Sequence, residues 1–146
     1  MPVSIPGKSI KTPTTTCLVI APFDTAGSRI KDTIQRALEE VGINSLSLDN
    51  LQPGASWVNA VTDAIKFSDF IVVDVSRQNP NVMYELGYAH ALRKPTILLM
   101  SLETASSIPS DLQGHLYVAY DPKNLHSLRE EIIRASYRYK VSGGGK

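Results

Sequence analysis

An α/β fold built on a parallel sheet is predicted by three features of the sequence. Strand-like and helix-like stretches alternate from residue 17 to residue 138. Two of the strand-like stretches, "FIVVDV" (70–75) and "TILLM" (96–100), are runs of mostly apolar residues without polar alternation, as expected of strands covered on both faces. The helix-like stretches repeat apolar residues at spacings of three and four, the width of one helical face.

The elements follow in order. "CLVIAPF" (17–23) is a strand stopped by Pro22. Ile30, Ile34, Ala37, Leu38 and Val41 then share a helical face, and Gly42 ends that helix. "INSLSLD" (43–49) alternates apolar and polar residues, as a strand with one exposed face does. Val58, Val61 and Ile65 stripe a second helix behind Trp57, which reads as a packing residue. The strand 70–75 leads to a helix over 79–93 with Asn79 as N-cap and Pro80 at its first position. Arg93 and Lys94 favour its negative end, and Pro95 forbids continuation. "TILLM" and "LYVAY" (116–120) are the last strands, and Leu125, Leu128, Ile132 and Ala135 stripe a closing helix.

These elements make one flavodoxin-like three-layer domain: about five parallel strands in the order 2-1-3-4-5, with helices on both faces. The domain spans residues 17–140. Residues 1–16, rich in Pro, Thr, Ser and Lys, read as a flexible tail, and 141–146 ("VSGGGK") as a flexible end or linker.

Apolar residues make up 42% and charged residues 20% of the 146 positions, ordinary for a soluble globular chain. A net charge of +1 gives no electrostatic reason to expect nucleic acid or an anionic membrane as partner. His90, His115, His126 and Cys17 are scattered, so neither a metal site nor a disulfide is expected. The first 16 residues hold no apolar run long enough for a signal peptide or membrane span, so the expectation is a cytoplasmic protein.

In a sheet of this order, ligands bind beyond the carboxyl ends of the strands where the order reverses, between strands one and three. That selects two segments. After strand one come Pro22, Phe23 and Asp24, then Gly27, Ser28 and Arg29, whose backbone N–H groups near a helix start offer a seat for phosphate. After strand three come Asp74, Ser76, Arg77, Asn79 and Asn81. Phe23 also suits the core, Asp24 a helix cap, Asp74 a turn, and Arg77 an exposed loop. Tyr84 and Tyr88 are helical neighbours that pack together or stack on a base.

Glu85 stands out because it lies in the apolar middle of the 79–93 helix, sharing a face with Asn81, Ala89 and Leu92. That helix reads as buried nearly all round, with Gly87 allowing close approach to the sheet. Burying an ionised carboxylate without a partner costs several kcal/mol. Glu85 therefore either lines a cleft or pairs with a cation such as Arg93.

The stretch "DFIVVDVSRQNPNVMYELGYAHALRKPTILL" (69–99), together with "APFD" after strand one, resembles the nucleoside 2-deoxyribosyltransferase-like proteins and the related bacterial TIR-like domains. The specific part is "NPNVMYELGYAHALRKP". The resemblance implies that Glu85 is a catalytic carboxylate acting at the anomeric carbon of a ribose. Cleavage of an N-glycosidic bond passes through an oxocarbenium-like state, which such a carboxylate stabilises or captures. Nicotinamide leaves NAD as a neutral molecule and needs no proton; a purine or pyrimidine does, and Asp74 is the best-placed second acid.

The expectation is thus a nucleotide N-glycosidase: NAD glycohydrolase-like first, a nucleoside or nucleotide deoxyribosyl hydrolase or transferase next. It needs no cofactor, since NAD is a substrate here, and it works as a homo-oligomer. The polar stretch "SLETASSIPSDLQGH" after strand four is the expected contact between copies. The rival is a non-catalytic TIR-like module that senses a nucleotide or assembles in bacterial signalling or defence. A phosphoacceptor receiver domain is disfavoured, because "APFDT" offers only Asp24 where an acidic cluster is needed.

Overall fold

Strand β1 (Thr16–Ile20) is buried along its whole length and pairs with two neighbours at once. The computed structural model describes residues 14–22, 24–48, 57–77, 79–103 and 117–140. Of the N-terminal segment expected as a flexible tail over 1–16, residues 1–13 lie outside the described residues, while Thr15 is buried and Thr16 begins β1; the C-terminal 141–146 and the "SLETASSIPSDLQGH" stretch from residue 104 to its end also lie outside them. Strands β2 (Asn44–Ser47), β3 (Phe70–Asp74), β4 (Thr96–Ser101) and β5 (Tyr117–Tyr120) complete a parallel sheet in the order β2-β1-β3-β4-β5. Helices α1 (Thr25–Glu40), α2 (Trp57–Phe67), α3 (Pro80–Ala91) and α4 (Leu125–Ser136) connect and close it. The expected strand order and three-layer architecture are those found.

Successive strand residues point to opposite faces, so each buried strand feeds two cores. Cys17, Val19, Phe70, Val72, Ile97 and Leu99 meet Ile30, Ile34 and Leu38 of α1 and Leu128 and Ile132 of α4. Leu18, Ile20, Ile71, Val73, Leu98 and Met100 meet Val61 and Ile65 of α2 and Val82, Leu86 and Ala89 of α3. Cys17 is fully buried in the first of these cores. The strand starts are tied by Asp69, whose Oδ2 accepts the Thr16 amide at 2.8 Å, and by Lys94 Nζ, which donates to the Lys66 and Ser68 carbonyls, both at 2.7 Å.

Three sequence expectations need correcting. Helix α3 is not buried all round: Val82, Glu85, Leu86 and Ala89 are buried, while Asn81, Tyr84, Gly87, Ala91 and Leu92 are exposed. It covers one face of the sheet and leaves its other side to solvent. Gly87 is on that outer side, and a methyl added there meets nothing within 4 Å, so it serves no close approach. Val58 lies one turn ahead of the packed part of α2 and is exposed, leaving Val61 and Ile65 to make the core contact. At the end of α3, Arg93 takes the left-handed turn position with φ 59°, where glycine is the usual residue. No helix among the described residues is long and apolar enough to cross a membrane.

Candidate active site

Helix α3 begins as its sequence dictates. The Asn79 side chain accepts from the amides of Asn81 and Val82, and Pro80 occupies the first turn. The cap fixes the rotation of the helix, which turns Glu85 inward beside Val82, Leu86 and Ala89. Glu85 is only 7% exposed. It lines a void of about 10 Å³ with Val19, Ile20 and Ala21 at the end of β1, Ser47 and Leu48 at the end of β2, and Lys31 of α1. Among the described residues no hydrogen bond or ion pair reaches the Glu85 carboxylate. Arg93, the sequence-level candidate partner, is exposed beyond the helix end. Burial alone pushes the Glu85 carboxyl up to about 7.

Asp74 ends β3 and faces elsewhere. Its Oδ1 accepts from the Ser76 amide at 3.0 Å and the Ser76 hydroxyl at 2.5 Å, and its Oδ2 accepts from the Tyr120 hydroxyl at 2.8 Å. Ser76 Oγ in turn accepts the Ser101 amide at 2.8 Å, which links the ends of β3 and β4. Burial, and then the nearby Asp74 carboxylate, push the Tyr120 phenol up. This cluster floors a second cavity of about 240 Å³, walled by Ala26, Arg29 and Ile30 of α1 and by Arg77, Glu103 and Pro122. The two expected acids, Glu85 and Asp74, thus line different cavities on the two sides of the α1 start.

The turn between β1 and α1 is organised by Asp24. Its Oδ1 accepts the Gly27 amide at 2.7 Å as the helix cap, and the same carboxylate holds the Arg77 guanidinium. Arg77 hydrogen-bonded to it holds the Asp24 carboxyl below the usual range. Gly27 is required by packing, because a methyl there would lie 2.0 Å from the Pro22 carbonyl oxygen. Pro22 is buried, Ser28 is exposed with its amide bonded to the Asp24 carbonyl, and Arg29 is exposed on the wall of the larger cavity. Asn79 is engaged as a cap, Asn81 is exposed, and Tyr84 is 61% exposed on the outer side of α3. Phe23 lies outside the described residues.

Three residues of these cavities escaped the sequence reading. Tyr120 looked like the last apolar residue of a strand, and nothing local announced its bond to Asp74 across 46 positions. Ser101 likewise belongs to the strand end. Lys31 did leave a signal: it interrupts the buried stripe of Gly27, Ile30, Ile34, Ala37 and Leu38, and burial lowers its ammonium pKa. Among the described residues no group of three or more His, Cys, Asp or Glu converges on a point where a metal would bind.

The fold is shared with two enzymes of known structure. The Clostridium botulinum CMP N-glycosidase BcmB superposes with a TM-score of 0.62 at 22% identity, over 78% of this chain and 98% of that one. A 2-deoxyribosyltransferase from Bacillus psychrosaccharolyticus superposes with a TM-score of 0.60 at 17% identity, over 79% of this chain and 90% of that one. No match was found among curated proteins. The sequence profile of the TIR domain matches residues 25–133, from the first turn of α1 into α4, and the chain belongs to the TIR domain family.

Proposed function

We propose that this TIR domain is a nucleotide N-glycosidase in which Glu85 faces the anomeric carbon of the substrate ribose. The observation that carries the reading is a buried carboxylate that no described residue neutralises, at the carboxyl ends of β1 and β2. A carboxylate kept without a partner is costly, and it suits a site where positive charge develops only during reaction. As the bond from C1′ to the base nitrogen breaks, its electron pair leaves with the base. Glu85 stabilises the resulting oxocarbenium charge or bonds to C1′, and water then supplies the hydroxyl that completes hydrolysis. A void of about 10 Å³ has room for about one water, so it marks where the carboxylate meets the reacting carbon and not where the whole sugar lies.

NAD is the preferred substrate. Its nicotinamide leaves neutral, and Asp74, the best sequence candidate for an acid, lines the other cavity and is itself the acceptor of three hydrogen bonds. A nucleoside or nucleoside monophosphate comes next, supported by the fold shared with a CMP N-glycosidase and a 2-deoxyribosyltransferase. The test is incubation with NAD, CMP and deoxynucleosides, followed by chromatography of the released base. Release from NAD by the wild type and not by Glu85→Gln is expected. No release from any of them would leave the binding or assembly module as the better reading.

A further inference from the structure

We propose that the cavity floored by Asp74 and Tyr120 is a binding site for a nucleoside 5′-monophosphate group, separate from the Glu85 pocket, and that it holds the half of a dinucleotide substrate that does not react. The choice of a nucleotide as ligand rests on the N-glycosidase reading above; the existence of the site rests on its own geometry.

Size comes first. Sites for drug-sized ligands run from about 300 to 1,000 Å³. At about 240 Å³ this cavity matches one nucleoside-sized group and is small for a whole dinucleotide. Its polar floor is built and buried. Asp74 is 4% exposed, Tyr120 4% and Ser76 7%. A carboxylate has about four lone-pair positions. Three are taken by the Ser76 amide, the Ser76 hydroxyl and the Tyr120 hydroxyl, which leaves room for one more donor. The Tyr120 oxygen, having donated its proton to Asp74, is an acceptor toward anything else. The floor therefore asks for N–H or O–H groups, such as the exocyclic amine of a base.

The walls ask for something flat and apolar. Ala26, Ile30, Pro122 and the ring of Tyr120 offer surfaces for a base to lie against. The rim offers an anion two guanidinium groups against one carboxylate, Glu103. Arg29 and Arg77 both line the cavity and are exposed. Arg77 is held by Asp24, which positions it without removing its donors on the free side. A donor-bearing base at the floor, a ring at the walls and a phosphate at the rim together describe a nucleoside 5′-monophosphate.

The relation to Glu85 gives the site its role. Arg29 and Ile30 line this cavity, and the next residue of the same helix, Lys31, lines the Glu85 void. The start of α1 therefore lies between two neighbouring sites, and a ligand held in this cavity that brings a second ribose C1′ to Glu85 is a dinucleotide.

The experiment uses the Glu85→Gln protein, which keeps ligands intact, and reads backbone amide shifts by NMR during titration with AMP and with NAD. AMP should move the amides of Ser76, Ser101 and Tyr120, and NAD should move these together with Ser47 and Leu48. Ala26→Phe, which fills the cavity from an exposed helical position, should weaken AMP binding by about tenfold or more. Arg29→Ala should weaken AMP more than adenosine. Lack of AMP binding, AMP shifts centred on Ser47 and Leu48, NAD shifts confined to those residues, or an Ala26→Phe protein that binds AMP as well as its parent would each overturn the proposal. Binding is read without turnover, so a protein that proves to be no glycosidase and still binds AMP here refutes the proposed activity and not the site.

Discussion

The Arg77 guanidinium lies on the Asp24 carboxylate, with Nη2 2.8 Å from Oδ1 and Nη1 2.5 Å from Oδ2. That same Oδ1 accepts the Gly27 amide at 2.7 Å, so one side chain caps α1 and neutralises a cation at the rim of the larger cavity. Asp24→Asn keeps an oxygen for the cap and removes the charge. Both partners are 44% exposed, so the loss of stability should be small. Freed from its partner, Arg77 should hold a nucleotide phosphate more tightly. KM for the nucleotide substrate should fall in Asp24→Asn and rise in Arg77→Ala; the same KM in both would show that this pair has no part in substrate binding.

Glu85 should make stability depend on pH in an unusual sense. Its carboxyl is raised from about 4.5 to about 7, so the folded protein keeps a proton that the unfolded chain gives up in that window. Unfolding then releases a proton, and stability falls as pH rises from about 4.5 through 7. At about 1.4 kcal/mol per pKa unit the loss is on the order of 3 kcal/mol. Glu85→Gln should abolish this slope and be the more stable protein at pH ~8. Urea midpoints of both proteins at mildly acidic and mildly alkaline pH check it; parallel curves would mean that Glu85 is not buried in solution.

The same shift sets the activity profile. The ionised carboxylate is the working form, so the rate should climb through neutral pH with a midpoint near 7, where an ordinary glutamate would give a flat profile. Glu85→Gln should lose about two orders of magnitude or more in turnover while its circular dichroism stays that of the parent. Retained turnover would remove Glu85 from the chemistry.

Gly27→Ala should damage the fold at the site. The added methyl would sit 2.0 Å from the Pro22 oxygen and 3.0 Å from the Pro22 carbonyl carbon, both backbone atoms that cannot swing aside. The start of α1 must shift instead, at a cost of about 1–3 kcal/mol. Chemical denaturation measures the loss. Full stability would show that this turn is looser than its packing indicates.

Tyr120→Phe keeps the ring and deletes the hydroxyl that donates to Asp74 Oδ2. A buried acceptor deprived of its donor costs about 1–3 kcal/mol. The double change Asp74→Leu with Tyr120→Phe should cost less than the sum of the two single changes, because neither leaves the other unpaired. Thermal melts of the single and double variants decide it; simple additivity would mean that the two side chains do not share a bond in solution.

The fold was legible because its signals are local. The β-branched run at Phe70–Asp74, the apolar stripe of α1 and the Asn79–Pro80 helix start each specify an element within a few residues, and the strand order follows from how such units connect. Glu85 was legible for the same reason, as an acid set among apolar neighbours. The partners of Asp74 were not. Tyr120 reaches it, and Ser101 reaches its neighbour Ser76, only because β3, β4 and β5 lie side by side, a fact of register and not of spacing along the chain. Gly87 shows the opposite error: a glycine in a helix invites a packing reason, and here it faces open space.

Cys17, at 0% exposure in the core between the sheet and α1, has a further consequence. Burial pushes its thiol far above the normal range, so the thiolate that reacts with alkylating reagents is absent while the fold is intact. The folded protein should therefore be silent toward maleimide dyes without any residue being replaced. A cysteine introduced at the exposed Tyr84 would accept a single fluorophore on the outer side of α3, and slow labelling of Cys17 itself would serve as a clock for opening of the core.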